Sequence, residues 1–403
     1  MYPMNQTSTF PNPTKPSRLV YLDALRGFDM FWIIGGESLV KSFAVLTGWG
    51  WAQTLSEQFE HVSWDGFKFY DFIFPLFLFI AGVSLPISLG RRQARGESRR
   101  SLVLHILVRT LFLIFLGVLY NNGGVTFDIS SMRIPSVLGR IGLASGLAAV
   151  IVLNFKPRGQ AVWAAACLVG YSLAMKFIPV PGHGAGDFSL YANLASHIDR
   201  WLIPGRLYVD NIHDPEGLFS TIPSVATALF GALAGSWMLA ERSWKQKTLG
   251  LLLAGLVGLG LGLLWHRDFP INKNLWSSSF AVFAAGWSCL FLAAFYLVVE
   301  VLGWKKWAWP FVIIGSNSIL VYFLSGTGLI NFGTIARFFF GFTWNGLRPP
   351  AQEFISAIFL LVVEVFFLYL LYRNKVFIRV GGRSGTGPLF RKKIKRDERI
   401  PIP

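Results

Sequence analysis

Residues 61–86, HVSWDGFKFYDFIFPLFLFIAGVSLP, decide how the chain is read. A histidine precedes a Trp-Asp-Gly turn, and the turn runs into a long apolar helix with an acid, Asp71, in its first turns. About 20 apolar residues in a helix match the ~30 Å hydrocarbon core of a bilayer. Working outward, the same pattern recurs along the chain. Hydrophobic residues fill 53% of the 403 positions and charged residues only 14%, which excludes an ordinary soluble domain. The fold class is all-α: a polytopic transmembrane bundle of about ten helices, at 19–46, 67–90, 101–120, 135–154, 160–178, 218–240, 247–265, 279–302, 310–327 and 352–373.

Residues 1–18 form a polar, Pro-rich tail without the apolar stretch of a cleavable signal peptide. The first helix is therefore expected to act as the insertion signal. Residues 19–373 make the membrane domain, and 374–403 a basic tail suited to anionic headgroups. Ten crossings put both termini on one side, and 26 of the 37 Lys and Arg fall there, against 11 opposite. Positive charge is retained in the cytoplasm, so both termini are expected there. The net charge of +16 reads as this bias and as attraction to membrane lipids, with no nucleic-acid partner. Residues 328–345 read as an outer amphipathic helix or a re-entrant segment, and the Gly-rich run 250–264 as a close-packing helix face. Cys167 and Cys289 lie in apolar helices without metal-site spacing, so no metal is expected.

The polar residues gather at one face of the bundle, which suggests a site opening outward. His61 can exchange a proton near neutral pH or carry an acyl group, or it is simply an interfacial histidine. Asp71 lies about 7 Å into its helix, where a carboxylate needs a partner; it can orient His61 or neutralise an arginine. Glu37 ends the first helix at a matching depth, as a partner of His61 or a solvated acid. Arg26 pairs with Asp23 three residues earlier, near the inner boundary. Arg133 and Arg140 share a helix face, with Asp71 or Glu37 as the expected counter-ion of Arg140. Asn272, Asn274 and Trp276 offer amides and a flat ring suited to a sugar, although either Asn can be a helix cap. Asp214 and Glu216 sit at a helix start.

Six motifs in order, LDALRGFDMFW, EHVSWDGFKFYDFIFPLFLFIAGVSL, RIPSVLGRIG, HDPEGLFSTIPS, INKNLWSSSF and GSNSILVYF, resemble the heparan-α-glucosaminide N-acetyltransferase family from about residue 18 to 325. The resemblance implies a transmembrane acyltransferase. It would take acetyl-CoA from the cytoplasm and acetylate an amino sugar or glycan, of glucosamine type, on the far side. His61 would be the catalytic histidine, with Asp71 and Glu37 beside it; the family's lysosomal enzymes carry asparagine at the position of Glu37. Arg26, Arg133, Arg140 and Asn317 are assigned to the donor. Trp64, Asn272, Lys273, Asn274, Trp276 and Glu216 are assigned to the acceptor, with Asn272, Asn274 or Arg133 as oxyanion donors. An acetyl-histidine intermediate and direct transfer both remain open. The implied setting is a bacterial inner membrane, with the site's mouth periplasmic and a homodimer as the suggested assembly. The alternatives are a proton-coupled transporter or flippase using His61, Asp71 and Glu37 as a relay, and a non-catalytic scaffold. No inverted repeat supports the transporter.

Overall fold

Apolar runs of membrane-spanning length form helices of that length in the computed structural model, which describes residues 19–124 and 128–378. The expected N-terminal tail and most of the basic C-terminal tail lie outside the described residues. In chain order the helices are α1 (Val20–Phe31), α2 (Glu37–Thr47), α3 (Gly50–Glu57), α4 (Phe69–Ala94), α5 (Arg99–Asn122), α6 (Val137–Asn154), α7 (Pro157–Phe177) and α8 (Leu194–Leu202). They continue with α9 (Thr221–Leu239), α10 (Trp244–His266), α11 (Ser278–Tyr296), α12 (Trp309–Ser316), α13 (Ser318–Thr327), α14 (Phe332–Phe340) and α15 (Pro349–Arg373).

Among the described residues eight stretches are long and apolar enough to cross a membrane, the first being Val20–Thr47, which joins α1 and α2 through a wider turn at Trp32–Gly36. A ninth candidate is the pair α12–α13, bent by 72° at Asn317. The tenth expected span, 160–178, is α7; its 21 residues reach about 31 Å but are less apolar than the eight. The expectation of an all-α polytopic bundle therefore holds.

The bundle is built around α4, and glycine decides how closely its neighbours approach. A Cβ on Gly82 would stand 2.0 Å from the Ala228 carbonyl oxygen of α9, so the two backbones touch there. The Gly-rich run behaves as expected: a Cβ on Gly258 of α10 would meet the Gly286 Cα of α11 at 2.9 Å. Without water to drive association, such close packing is what holds membrane helices together. α4 begins at Phe69 beside the site and ends at Arg91 and Arg92, which defines a site end and a basic end of the bundle.

Within 328–345, α14 spans nine residues, about 14 Å, too short to cross alone. It lies antiparallel along α15, with Phe332 against Phe367 and Phe340 against Phe359. Phe338 and Phe339 face outward. A short helix lying along α15 fits both expectations for this segment, the amphipathic helix and the re-entrant one.

Candidate active site

A cavity of about 940 Å³ opens at the site end. Its floor is apolar, with Met30 and Ile33 of the first span, Phe77 of α4 and Ile141 of α6. Its mouth is polar, lined by His61, Trp64, Asp71, Arg133, Glu216, Lys273 and Asn274.

His61 and Asp71 meet because the turn folds back onto the start of α4. The Asp71 carboxylate accepts the Lys68 backbone N–H at Oδ2, at 3.1 Å, and the Val62 N–H at 3.4 Å. This is the acid of a capping box, which also gains from the helix dipole. Oδ1 is left to face His61 Nδ1 at 2.7 Å. Asp71 is fully buried, while the His61 side chain is 52% exposed. An ionised carboxylate only accepts, so Nδ1 carries the hydrogen, and in the neutral ring Nε2 is then the nitrogen with the lone pair. The Tyr70 ring lies 4.9 Å from the imidazole, centroid to centroid.

Lys273 reaches the couple from the loop before α11. Its Nζ is 3.0 Å from His61 Nδ1, 3.2 Å from Nε2 and 3.5 Å from Asp71 Oδ1. Burial pushes the Lys273 amine below its ordinary range, opposed by the charges of Asp71 and Glu216. The loop is held by its neighbours. Asn272 is buried, accepts the Leu275 N–H at Oδ1 (2.8 Å) and donates from Nδ2 to Asp65 (3.0 Å). Its amide thus holds the Leu275 turn and Asp65. Trp276 takes a left-handed backbone conformation, φ 46°, unusual for a bulky residue. Its ring is completely buried, donates to Thr227 Oγ1 at 3.1 Å and packs edge-on against Phe74. It does not line the cavity; it anchors the turn that presents Lys273 and Asn274.

The arginines are occupied. Arg133 grips Asp214 through two hydrogen bonds of 2.8 Å, pairs with Glu216, and lies over the Tyr208 ring at 4.4 Å. Burial works against its charge, yet Asp214 and Glu216 hold its pKa above the ordinary value. Arg140 is buried and does not pair with Asp71 or Glu37 as expected. Its Nη2 donates to the Gly217 carbonyl and to Ser220, and its guanidinium lies 5.1 Å from the Trp276 ring centroid. Depth along a helix put it at the right level, but its direction around the axis turns it toward α9.

Three other predicted residues stand off the cavity. Glu37 pairs with Lys41 one turn on, and it reaches the site only through Tyr70, whose hydroxyl faces its carboxylate. Arg26 hydrogen-bonds Asp23 and Ser84, each at 3.1 Å, about one helical turn beyond Met30 toward the basic end. Asn317 sits at the α12–α13 bend, donating to the Val376 carbonyl (3.0 Å) and accepting the Ile378 N–H (2.9 Å). It fastens the chain after the last helix. Trp64 lines the cavity and donates to the Phe188 carbonyl at 2.9 Å.

Sequence reading missed Tyr70, Tyr120, Tyr208 and Tyr322, all on the cavity wall, with Tyr120 and Tyr322 stacked at 4.7 Å. It also missed a buried polar cluster behind the mouth, where His213 Nδ1 lies 2.8 Å from Ser196 Oγ and its ring meets Trp64 edge-on at 5.3 Å. Burial lowers the His213 pKa to about 4. HDPEG signalled a helix start but not that its histidine is enclosed. Among the described residues no group of three or more His, Cys, Asp or Glu could hold a metal ion.

Comparison with known proteins gives the cavity a context. Residues 18–195 match a domain of unknown function, DUF5009. The Homo sapiens heparan-alpha-glucosaminide N-acetyltransferase is 29% identical over 439 residues, covering 93% of this chain and 62% of that protein. The Mus musculus heparan-alpha-glucosaminide N-acetyltransferase is 30% identical over 384 residues, covering 80% of this chain and 56% of that protein. The chain thus spans about three fifths of the length of these curated relatives. Over most of its own length, then, the chain is similar to the heparan-alpha-glucosaminide N-acetyltransferases, the family its motifs resemble.

Proposed function

We propose that the chain is a membrane acetyltransferase that moves an acetyl group from acetyl-CoA to the amine of an amino sugar or glycan held in the cavity. One observation carries the reading: a His61–Asp71 couple, joined at 2.7 Å, faces a cavity of about 940 Å³ in a chain similar to N-acetyltransferases. The acceptor nitrogen attacks the thioester carbonyl, forming the C–N bond as its proton passes to His61 Nε2. The C–S bond then breaks, and the CoA thiolate takes that proton from the imidazolium and leaves as the thiol. Asp71 holds the ring in the tautomer that leaves Nε2 basic and favours the imidazolium between the two steps.

The rest of the cavity suits the two substrates. Trp64, Asn274 and Glu216 offer a ring, an amide and a carboxylate to a sugar, while the apolar floor accepts the acyl end of the donor. Arg26, on the basic side of that floor, is the residue for the donor's phosphates. Arg133, already paired, serves the rim. The charge bias of the expected ten-crossing topology, 26 of 37 Lys and Arg on the terminal side, supports a cytoplasmic basic end and a periplasmic mouth in a bacterial inner membrane.

The test uses purified protein, labelled acetyl-CoA and glucosamine. Acetylated sugar is expected, and His61→Ala should abolish transfer while CoA binding persists. Acid quenching of a single turnover without acceptor separates the routes, since protein-bound acetyl label would replace direct transfer with an acetyl-histidine. Binding of acetyl-CoA with no transfer to any amine or hydroxyl would refute the reading.

A further inference from the structure

We propose that Lys273 is a catalytic residue: its ammonium receives the oxyanion formed beside His61. The proposal rests on the acetyltransferase reading and adds a residue to it.

The position of Nζ carries the argument. It is nearly equidistant from both ring nitrogens, at 3.0 and 3.2 Å. In the ring plane, that placement would drive it into the carbon between them, so it lies over the face. There it cannot occupy the Nε2 lone pair, which stays available for the acceptor's proton. An ammonium has three N–H groups. Asp71 Oδ1, at 3.5 Å, is the one oxygen recorded against it among the described residues. Lys273 lines the cavity, so its remaining N–H groups are within reach of an oxyanion formed next to the atom that takes the proton.

Asn274 offers a neutral amide at the mouth, while Asn272, Arg133 and Arg140 are committed. Asn272 supports Asp65 and caps the Leu275 turn. Arg133 is held by Asp214 and Glu216, and Arg140 is buried against Gly217 and Ser220. Lys273 therefore combines a positive charge, cavity access and uncommitted hydrogens.

The groups around His61 single out the same residue. From α4 it is faced by Asp71 and Tyr70, and from the loop before α11 by Lys273. The Glu60–Lys68 pair flanks its turn at 3.4 Å, and Arg133 is balanced by Glu216 and Asp214 at the rim. Lys273 is thus the cation set directly against the imidazole.

The test compares wild type with Lys273→Met and Lys273→Arg, each first shown to be folded by its thermal midpoint. Lys273→Met should lower kcat about 100- to 1,000-fold, the usual effect of losing an oxyanion donor, with the Kd for acetyl-CoA unchanged within about twofold. An acceptor-independent measurement is the modification of His61 by diethyl pyrocarbonate, which reacts with neutral imidazole. His61 should be modified in Lys273→Met as in wild type, so that a lost turnover is not a lost histidine. Lys273→Arg keeps the charge, so it should regain part of kcat; it also stands in if the Met variant does not fold. A Met variant with wild-type kcat overturns the proposal. If wild type modifies normally but transfers no acetyl group, the acetyltransferase reading has failed instead, and the oxyanion role falls with it.

Discussion

Replacing Asp71 by Asn tests the tautomer argument with the least change of shape. One carboxylate oxygen faces His61 Nδ1 at 2.7 Å, and the other accepts two backbone N–H groups, from Lys68 at 3.1 Å and Val62 at 3.4 Å. An amide must turn one NH2 toward one of these sides. Facing the backbone, it would set donors against two donors. Facing the histidine, it would require Nδ1 to accept. The second arrangement leaves fewer donors unmatched, so the ring hydrogen moves to Nε2 and blocks the atom that should take the acceptor's proton. Asn also removes a negative charge beside the imidazolium. That attraction at 2.7 Å is about 1.5 kcal/mol in water and about 6 kcal/mol at an effective dielectric of 20. His61 is half exposed, so the lower part of that range applies. Together the two effects predict a fall in kcat of about 10²- to 10⁴-fold, or about 3–5 kcal/mol on the barrier. Steady-state transfer of labelled acetyl to glucosamine reads the loss, with donor affinity and thermal midpoint measured on the same sample. A variant turning over within threefold of wild type would refute the assignment of Nε2 as the proton acceptor.

Two further outcomes follow from groups behind the mouth. Arg133→Met leaves Asp214 buried without its partner, which should cost about 3–5 kcal/mol of stability; equal unfolding midpoints for variant and wild type would count against the clamp. His213 is held neutral, its pKa lowered by burial to about 4, so its contribution to stability is complete above about pH 6.5 and is lost as the pH falls toward 4. By pH 5 wild type should have lost about 2 kcal/mol that His213→Gln keeps. The buried Asp199, raised to about 6, works in the opposite sense, losing its contribution as the pH rises through 6. Because both proteins carry it, the difference between their pH–stability curves isolates His213, and parallel curves would show that His213 is not the titrating group.

The helices were legible because length and apolarity survive folding: a run that must cross a bilayer has few other ways to satisfy its backbone. Depth was legible for the same reason, since each helical residue advances a fixed 1.5 Å. Asp71, Glu37 and Arg140 were therefore placed at sensible levels, but rotation about the helix axis was not fixed by counting. Glu37 follows the irregular turn at Trp32–Gly36, pairs with Lys41, and meets the site only through Tyr70. Arg140 turns to a carbonyl and a hydroxyl from the segment entering α9. Trp276 looked like a sugar platform because a loop tryptophan before a helix has no periodicity to mark it as core; its left-handed backbone and enclosed ring emerge only in three dimensions. Asn272 is not the helix cap its sequence context allowed, since Ser277 caps α11; its amide holds the Leu275 turn and Asp65. Lys273 stood beside both, and nothing in its local sequence ties it to a histidine 212 positions away.

Asn317 joins two jobs in one side chain. It stands where α12 gives way to α13 at 72°, and its amide clasps the strip of chain that leaves the final helix, at Val376 and Ile378. Within five residues of that clasp, Ile319 and Tyr322 form part of the cavity wall. The stretch leaving α15 is therefore fastened at the very bend from which part of the chamber's wall departs, so cutting that clasp would remove a support of the wall from outside the cavity.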